Sequence, residues 1–161
     1  MAYRTRSRSR SFRNNRDKYS VERTRIVATT AAEPQNGLFQ AGAVVVPPTA
    51  VQGMRKVKHL RVSLSPSLQS GENVSDITWA LVFVPEGYQP NLLDGTNQHS
   101  LYEPNQFVMA AGQVDPNAGP VRISSPISRN LNSGDQIVLI VGTTVASVLC
   151  HGVVEYAVTL Q

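Results

Sequence analysis

The 161 residues are enough for one domain with one hydrophobic core, and the formal charge of +4 is spread unevenly along them. A single cysteine, Cys150, excludes an internal disulfide, and three scattered histidines without a second cysteine argue against a zinc cluster. The N-terminal arginines have no apolar segment behind them, so they do not read as a secretory signal.

The first segment, 1–19, reads as an arm. Residues 1–25 hold nine basic side chains (Arg4, Arg6, Arg8, Arg10, Arg13, Arg16, Lys18, Arg23 and Arg25) against Asp17 and Glu22, a net +7 that leaves residues 26–161 at −3. From Arg4 to Arg10 every second residue is arginine, separated by Thr and Ser, a pattern that neither buries nor sustains a helix. Guanidinium forks match phosphate whatever the base sequence, so such a segment suits a polyanion, and Tyr3 and Phe12 add two aromatic faces that could stack on unpaired bases. A solvated tail, or a nuclear localisation signal read by an import carrier, is the plainer reading of a mixed-sign run, but nine basic residues against two acids ahead of a slightly acidic body favour nucleic-acid binding, with localisation as an additional role.

From about residue 20 onward, β-branched runs alternate with Pro, Gly, Asn and Asp clusters, and no long stretch shows helical spacing. This predicts an all-β body over 20–161, with eight strands near 21–31, 41–46, 56–65, 76–84, 106–113, 120–127, 135–142 and 148–160. The predicted turns fall at Asn36-Gly37, Pro47-Pro48, Pro66 through Gly71, Pro85-Glu86-Gly87, Pro116 through Pro120, Ser133-Gly134-Asp135 and Gly142. In "KHLRVSLS", Leu60, Val62 and Leu64 alternate with His59, Arg61 and Ser63, separating a core face from a polar one. "WALVFV", Trp79 to Val84, is apolar on both faces, as for a central strand covered on each side. In the last strand Val148, Cys150, Val154, Tyr156, Val158 and Leu160 share one face, which makes Cys150 a small core residue. The uncharged run Ile137 to Val154 has the length of a membrane span, but Gly142, Ser147 and Gly152 and its β-branched content suit two buried strands better. Eight antiparallel strands in this length fit a two-sheet sandwich of the jelly-roll kind.

Two further features concern partners. Arg55, Lys56, Lys58 and Arg61 form a second basic patch that could extend a phosphate-binding surface or serve as ordinary solvent-facing and intersubunit residues. Residues 85–105 run without period yet carry Tyr88, Leu92, Leu93, Leu101 and Tyr102, too apolar for a solvated linker. These five are expected to pack on their own domain or, by preference, on a neighbouring subunit, with the turns at 66–75 and 114–120 the next contacts.

Catalysis has little to stand on. His59, His99 and His151 lie in unrelated contexts, there is no phosphate-cradling glycine loop, and no serine stands in a nucleophile elbow. His151 and Glu155 share a strand face but sit roughly 13 Å apart. No carboxylate spacing singles out a calcium site, and the sequon Asn73-Val74-Ser75 carries no weight without a secretory signal. The expectation is a protein that is not an enzyme and needs no cofactor or metal.

The Arg/Ser arm and the segments "RKVKHLRVSLS", "WALVFVPEGYQP", "SLYEPNQFVMAAG" and "SRNLNSGDQIVLIV" resemble the capsid proteins of small, circovirus-like single-stranded DNA viruses, which encode a replication initiator on a circular genome. The resemblance spans most of the chain and rests on structural rather than catalytic residues. It implies one jelly roll, a small icosahedral shell of sixty copies of this chain, an inward arm that packages single-stranded DNA, location in the virion, and passage through the host nucleus with import carriers as further partners. No membrane is implied. Sixty arms of this charge would carry roughly 400 positive charges, enough to neutralise part of a small genome. Two rivals remain open: the coat of a small satellite-type RNA virus, and a cellular nucleic-acid adaptor with an Arg/Ser tail. A lectin-like jelly roll with an incidental tail would need a polar cluster that the strands lack.

Overall fold

The computed structural model describes residues 19–34, 37–68, 76–90 and 107–160. Nine strands run in chain order among them: β1 Ser20–Thr29, β2 Phe39–Val46, β3 Arg55–Leu68, β4 Ile77–Val84, β5 Phe107–Val114, β6 Val121–Ser125, β7 Arg129–Leu131, β8 Gln136–Thr143 and β9 Val148–Leu160. They form two antiparallel sheets. One has the order β1-β9-β3-β6 with β7 also paired to β3, and the other has the order β2-β8-β4-β5. The chain is therefore all-β, as its composition of short β-branched runs predicts.

Expectation and structure part at three places. The short β7 makes a ninth strand; its three residues are too few to display an alternation. Pro66 does not open a turn, because β3 runs on to Leu68 and Pro66 pairs with Cys150. The last residue of β3 paired with β6 is Leu64, so Pro66 lies where β3 has a neighbour on one side only and a missing N–H is tolerated. Gly142 is likewise inside β8, between Gln40 and Thr78, and the chain turns only after Thr143, with Ser147 at φ 59°. The uncharged run 137–154 is thus two strands, as expected, but they belong to different sheets. Among the described residues no helix is long and apolar enough to cross a membrane.

The core lies between the sheets. Ile26, Val57, Leu60, Val62, Leu64, Cys150, Val154 and Tyr156 face inward from one sheet and Ile77, Leu81, Leu139 and Val141 from the other. Each fully buried Leu, Ile or Val of this set contributes roughly 1.5–3 kcal/mol through removal of apolar surface from water. The two central strands of the four-stranded sheet, β4 and β8, are also buried on the far face, where Ala80, Val82, Val84, Val138 and Ile140 form a second cluster with Leu38 and Val108 against it. This is the two-sided burial that "WALVFV" predicts. The outer face of the five-stranded sheet is exposed and mostly polar.

One end of the sandwich is tied by Asp135. Its buried carboxylate accepts hydrogen bonds from the Glu86 N–H at 3.1 Å and the Asn132 N–H at 2.7 Å, joining the turn after β4 to the turn before β8.

Gly152, in the middle of β9, lies opposite Ile26 on β1 and Leu64 on β3. A Cβ there would stand 2.9 Å from Ile26 Cγ1 and 3.1 Å from the Ser63 carbonyl oxygen. Gly152→Ala is expected to cost about 1–3 kcal/mol through overpacking, read as a lowered denaturation midpoint at unchanged denaturant slope. Cys150 is wholly buried, and burial pushes its thiol up to about 11. It should resist thiol reagents at neutral pH in the native protein and be labelled only on unfolding; labelling as fast as that of a free thiol would contradict this packing.

Candidate nucleic-acid interface

Alternation along three neighbouring strands builds the outer face of the five-stranded sheet. On β1, Ile26 and Ala28 are buried while Arg23, Arg25, Val27 and Thr29 are exposed. On β9, Gly152 and Val154 point in, leaving His151, Val153 and Glu155 on the other face. On β3, Val62 and Leu64 point in and Arg61, Ser63 and Ser65 point out.

A bulge sets the register of the cations. Lys58 pairs with Ala157 and Arg61 with Glu155, so both His59 and Leu60 stand opposite Tyr156. His59 absorbs the extra residue at φ 54°, in the left-handed region that favours glycine but admits histidine. The bulge restarts the alternation, so that Val57 and Leu60 are both buried and Lys58 and Arg61 share the outer face. Without it, one of those cations would point into the core.

Pairing then places the face in rows. Val21, Ala157 and Lys58 form the first, with Arg23, Glu155, Arg61 and Ser124 next. Arg25, Val153, Ser63 and Arg122 form the third, and Val27, His151 and Ser65 follow. Lys56 extends the same side by alternation, opposite Thr159 and Asn130. The face therefore gathers Arg23, Arg25, Lys56, Lys58, Arg61 and Arg122 around one carboxylate, Glu155. The other described acids lie in loops (Glu33, Asp76, Glu86, Asp115, Asp135) or, for Glu22, on the side of β1 that faces Tyr156. A chain whose body is net negative thus presents one positive sheet face.

Glu155 accepts a hydrogen bond from Arg23 Nε at 2.7 Å, the two side chains being 38% and 70% exposed. This bond first and the Arg23 charge next hold its carboxyl below the usual glutamate range; desolvation opposes them, and Arg61 adds the weakest pull. At the head of the face, the Lys58 ammonium sits 4.5 Å over the Tyr19 ring. Tyr19 is the last residue of the arm, so the arm joins the domain at this positive face.

Of the expected residues, the structure brings Arg23, Arg25, Lys56, Lys58 and Arg61 together. Arg55 is a correction. Its guanidinium turns to the end of the sandwich, donating to the Pro47 carbonyl at 3.1 Å and the Asp135 carbonyl at 3.4 Å, where it braces the start of β3. Arg4, Arg6, Arg8, Arg10, Arg13, Arg16, Lys18, Leu92, Leu93, Leu101, Tyr102 and His99 lie outside the described residues. Tyr88 is 48% exposed in the turn after β4, its N–H donating to the Pro85 carbonyl. Arg122 was not anticipated, although the "VRISS" alternation of β6 already sets it and Ser124 opposite the buried Ile123. Arg129 is also basic but belongs elsewhere, lying 4.9 Å from both the Phe83 and Phe107 ring centres. Among the described residues no group of three or more His, Cys, Asp or Glu side chains could share a metal ion.

The Arg23–Glu155 pair yields a pH prediction. Because the folded carboxyl is depressed below the ordinary value of about 4.3, the pair stabilises at higher pH, and the stabilisation is lost as pH falls through the folded value. The melting temperature of the unmodified chain should therefore fall more on acidification than that of Glu155→Gln. The difference should be small and shrink in salt, as for any exposed pair; an identical acid profile for the two proteins would show that the pair adds nothing. Compared with known proteins, the chain matches no protein-family model and no curated protein sequence.

Proposed function

We propose that this chain is a viral capsid subunit whose β body builds a small icosahedral shell and whose basic arm and positive sheet face hold single-stranded DNA. The observation that carries the nucleic-acid half is the segregation of charge: six of the eight basic side chains among the described residues collect on the one face that the arginine arm joins, although the body is net negative. The carried nucleic acid is bound through phosphate, and the body strands need no sequence-specific readout.

The shell half rests on the strand order read as a jelly roll. With the short β7 set aside, eight strands pair as nested hairpins, β1 with β9, β2 with β8, β3 with β6 and β4 with β5. Rolling that ribbon brings β9 beside β3 and β8 beside β4, and both pairings are present. The reading is also supported by the resemblance of the arm and body segments to circovirus-like coats, and it places the protein in the virion, after passage through the host nucleus. Subunit contacts come from the turns at the ends of the sandwich, with Tyr88 as the anchor among the described residues. The role is structural, with no catalytic step and no cofactor.

Light scattering on a sizing column with absorbance at 260 and 280 nm tests this directly. Megadalton particles carrying nuclease-protected DNA are expected; protected RNA would instead favour a satellite-type coat. A monomer or dimer at all salt and pH values would overturn the capsid reading in favour of an adaptor. Deleting residues 2–16 should leave the thermal transition in place while sharply reducing protected nucleic acid.

A further inference from the structure

Arg61 and Arg122 raise a problem that shell building does not answer. Arg61 lies opposite Ser124 and Ser63 opposite Arg122, so the two guanidiniums are diagonal neighbours on adjacent strands, about 7–8 Å apart at the backbone. Like charges at that spacing repel, and the nearest carboxylate, Glu155, is engaged by Arg23. An anion seated between the two would relieve that repulsion.

The surroundings indicate which anion. Arg61, Ser63, Arg122, Ser124, Val153 and Glu155 line a groove of about 540 Å³ on the outer face. Two guanidinium forks and two hydroxyls in a checkerboard offer donors to the oxygens of a phosphodiester. Alongside, Val153 and Val27 are 50% and 53% exposed, with the exposed imidazole of His151 between Val27 and Ser65. A duplex would bring only phosphates to this face and leave those apolar surfaces uncovered, whereas a single strand can lay its bases on them. The track also has an entry: the rows descend from Lys58 and Tyr19, where the arm ends.

We infer that the Arg61–Ser63–Arg122–Ser124 checkerboard is a phosphodiester subsite for a single nucleic-acid strand, with Val153, Val27 and His151 beside it to receive bases. This rests on the nucleic-acid reading above and adds to it a defined site in the folded domain, separate from the arm. Glu155 is the internal competitor of the site: it repels the incoming phosphate and occupies Arg23 until the strand arrives.

The test uses the full chain and a fluorescein-labelled oligothymidylate, with anisotropy titrations over a series of NaCl concentrations. Each phosphate contact to a single strand contributes about 0.7 to the slope of log K against log salt, so Arg61→Gln with Arg122→Gln should flatten it by about 1.4. A charge-matched control, Val51→Glu with Gln52→Glu in the exposed loop before β3, should leave the slope unchanged. Glu155→Gln should bind more tightly than the unmodified chain. Thermal melts of all three variants check that the sheet is intact. An equal slope change in the arginine variant and the control, or none in either, overturns the subsite while leaving arm-mediated binding standing. A duplex of the same length bound as tightly as the single strand overturns the single-strand assignment. Absence of binding by the unmodified chain would overturn the nucleic-acid reading itself.

Discussion

The position of β9 between β1 and β3 is the constraint on which the rest of the molecule depends. Because side chains alternate with a period of two, a strand paired on both sides must agree in register with both neighbours, or buried and exposed residues exchange faces. β1 satisfies this without interruption over ten residues. β3 satisfies it only through the bulge at His59, which lets Val57 and Leu60 both reach the core. Core and positive face are therefore two results of one register. A one-residue slip would bury arginines and expose the residues that now fill the interior.

The two sheets divide the work unequally. In the four-stranded sheet β8 and β4 are buried on both faces, which leaves no room for charge in their centres. The five-stranded sheet is buried on one face only, so its other face is free to carry cations, serines and a few exposed valines. Asp135 and Arg55 close the same end of the sandwich, by accepting and donating hydrogen bonds to backbone groups of turns remote from one another in sequence.

Much of this was legible in the sequence, for identifiable reasons. The alternations of β3 and β9, the two-sided burial of "WALVFV" and the core position of Cys150 all follow from side-chain period and polarity, which need no knowledge of partners. β7 was not legible because three residues carry no period, and the bulge was not because histidine, unlike glycine, does not advertise a positive φ. Arg55 shows the limit of reading charge as surface: its partners are carbonyls at Pro47 and Asp135, and the second is remote in sequence. Pro66 and Gly142 look like punctuation, yet each is tolerated in a strand because of which neighbours it has there. Of the candidate interface, the cations of β1 and β3 could be named beforehand, while their assembly with Arg122 around Glu155 required the pairing of four strands.

The pairing of β1 with β9 has a kinetic consequence. Ser20 meets Val158 and Thr29 meets Leu149, so nearly the whole chain must be spanned before the first bond of this ladder closes. β3 also takes its longest pairing from β9. Contacts of such sequence separation must overcome loop-closure entropy before they stabilise anything, which makes folding slow relative to a helical domain of this size. Until β9 inserts, β1 and β3 are open edges with unpaired backbone groups. The interval between synthesis and insertion of β9 is the period in which this chain is most exposed to wrong pairing with its own copies.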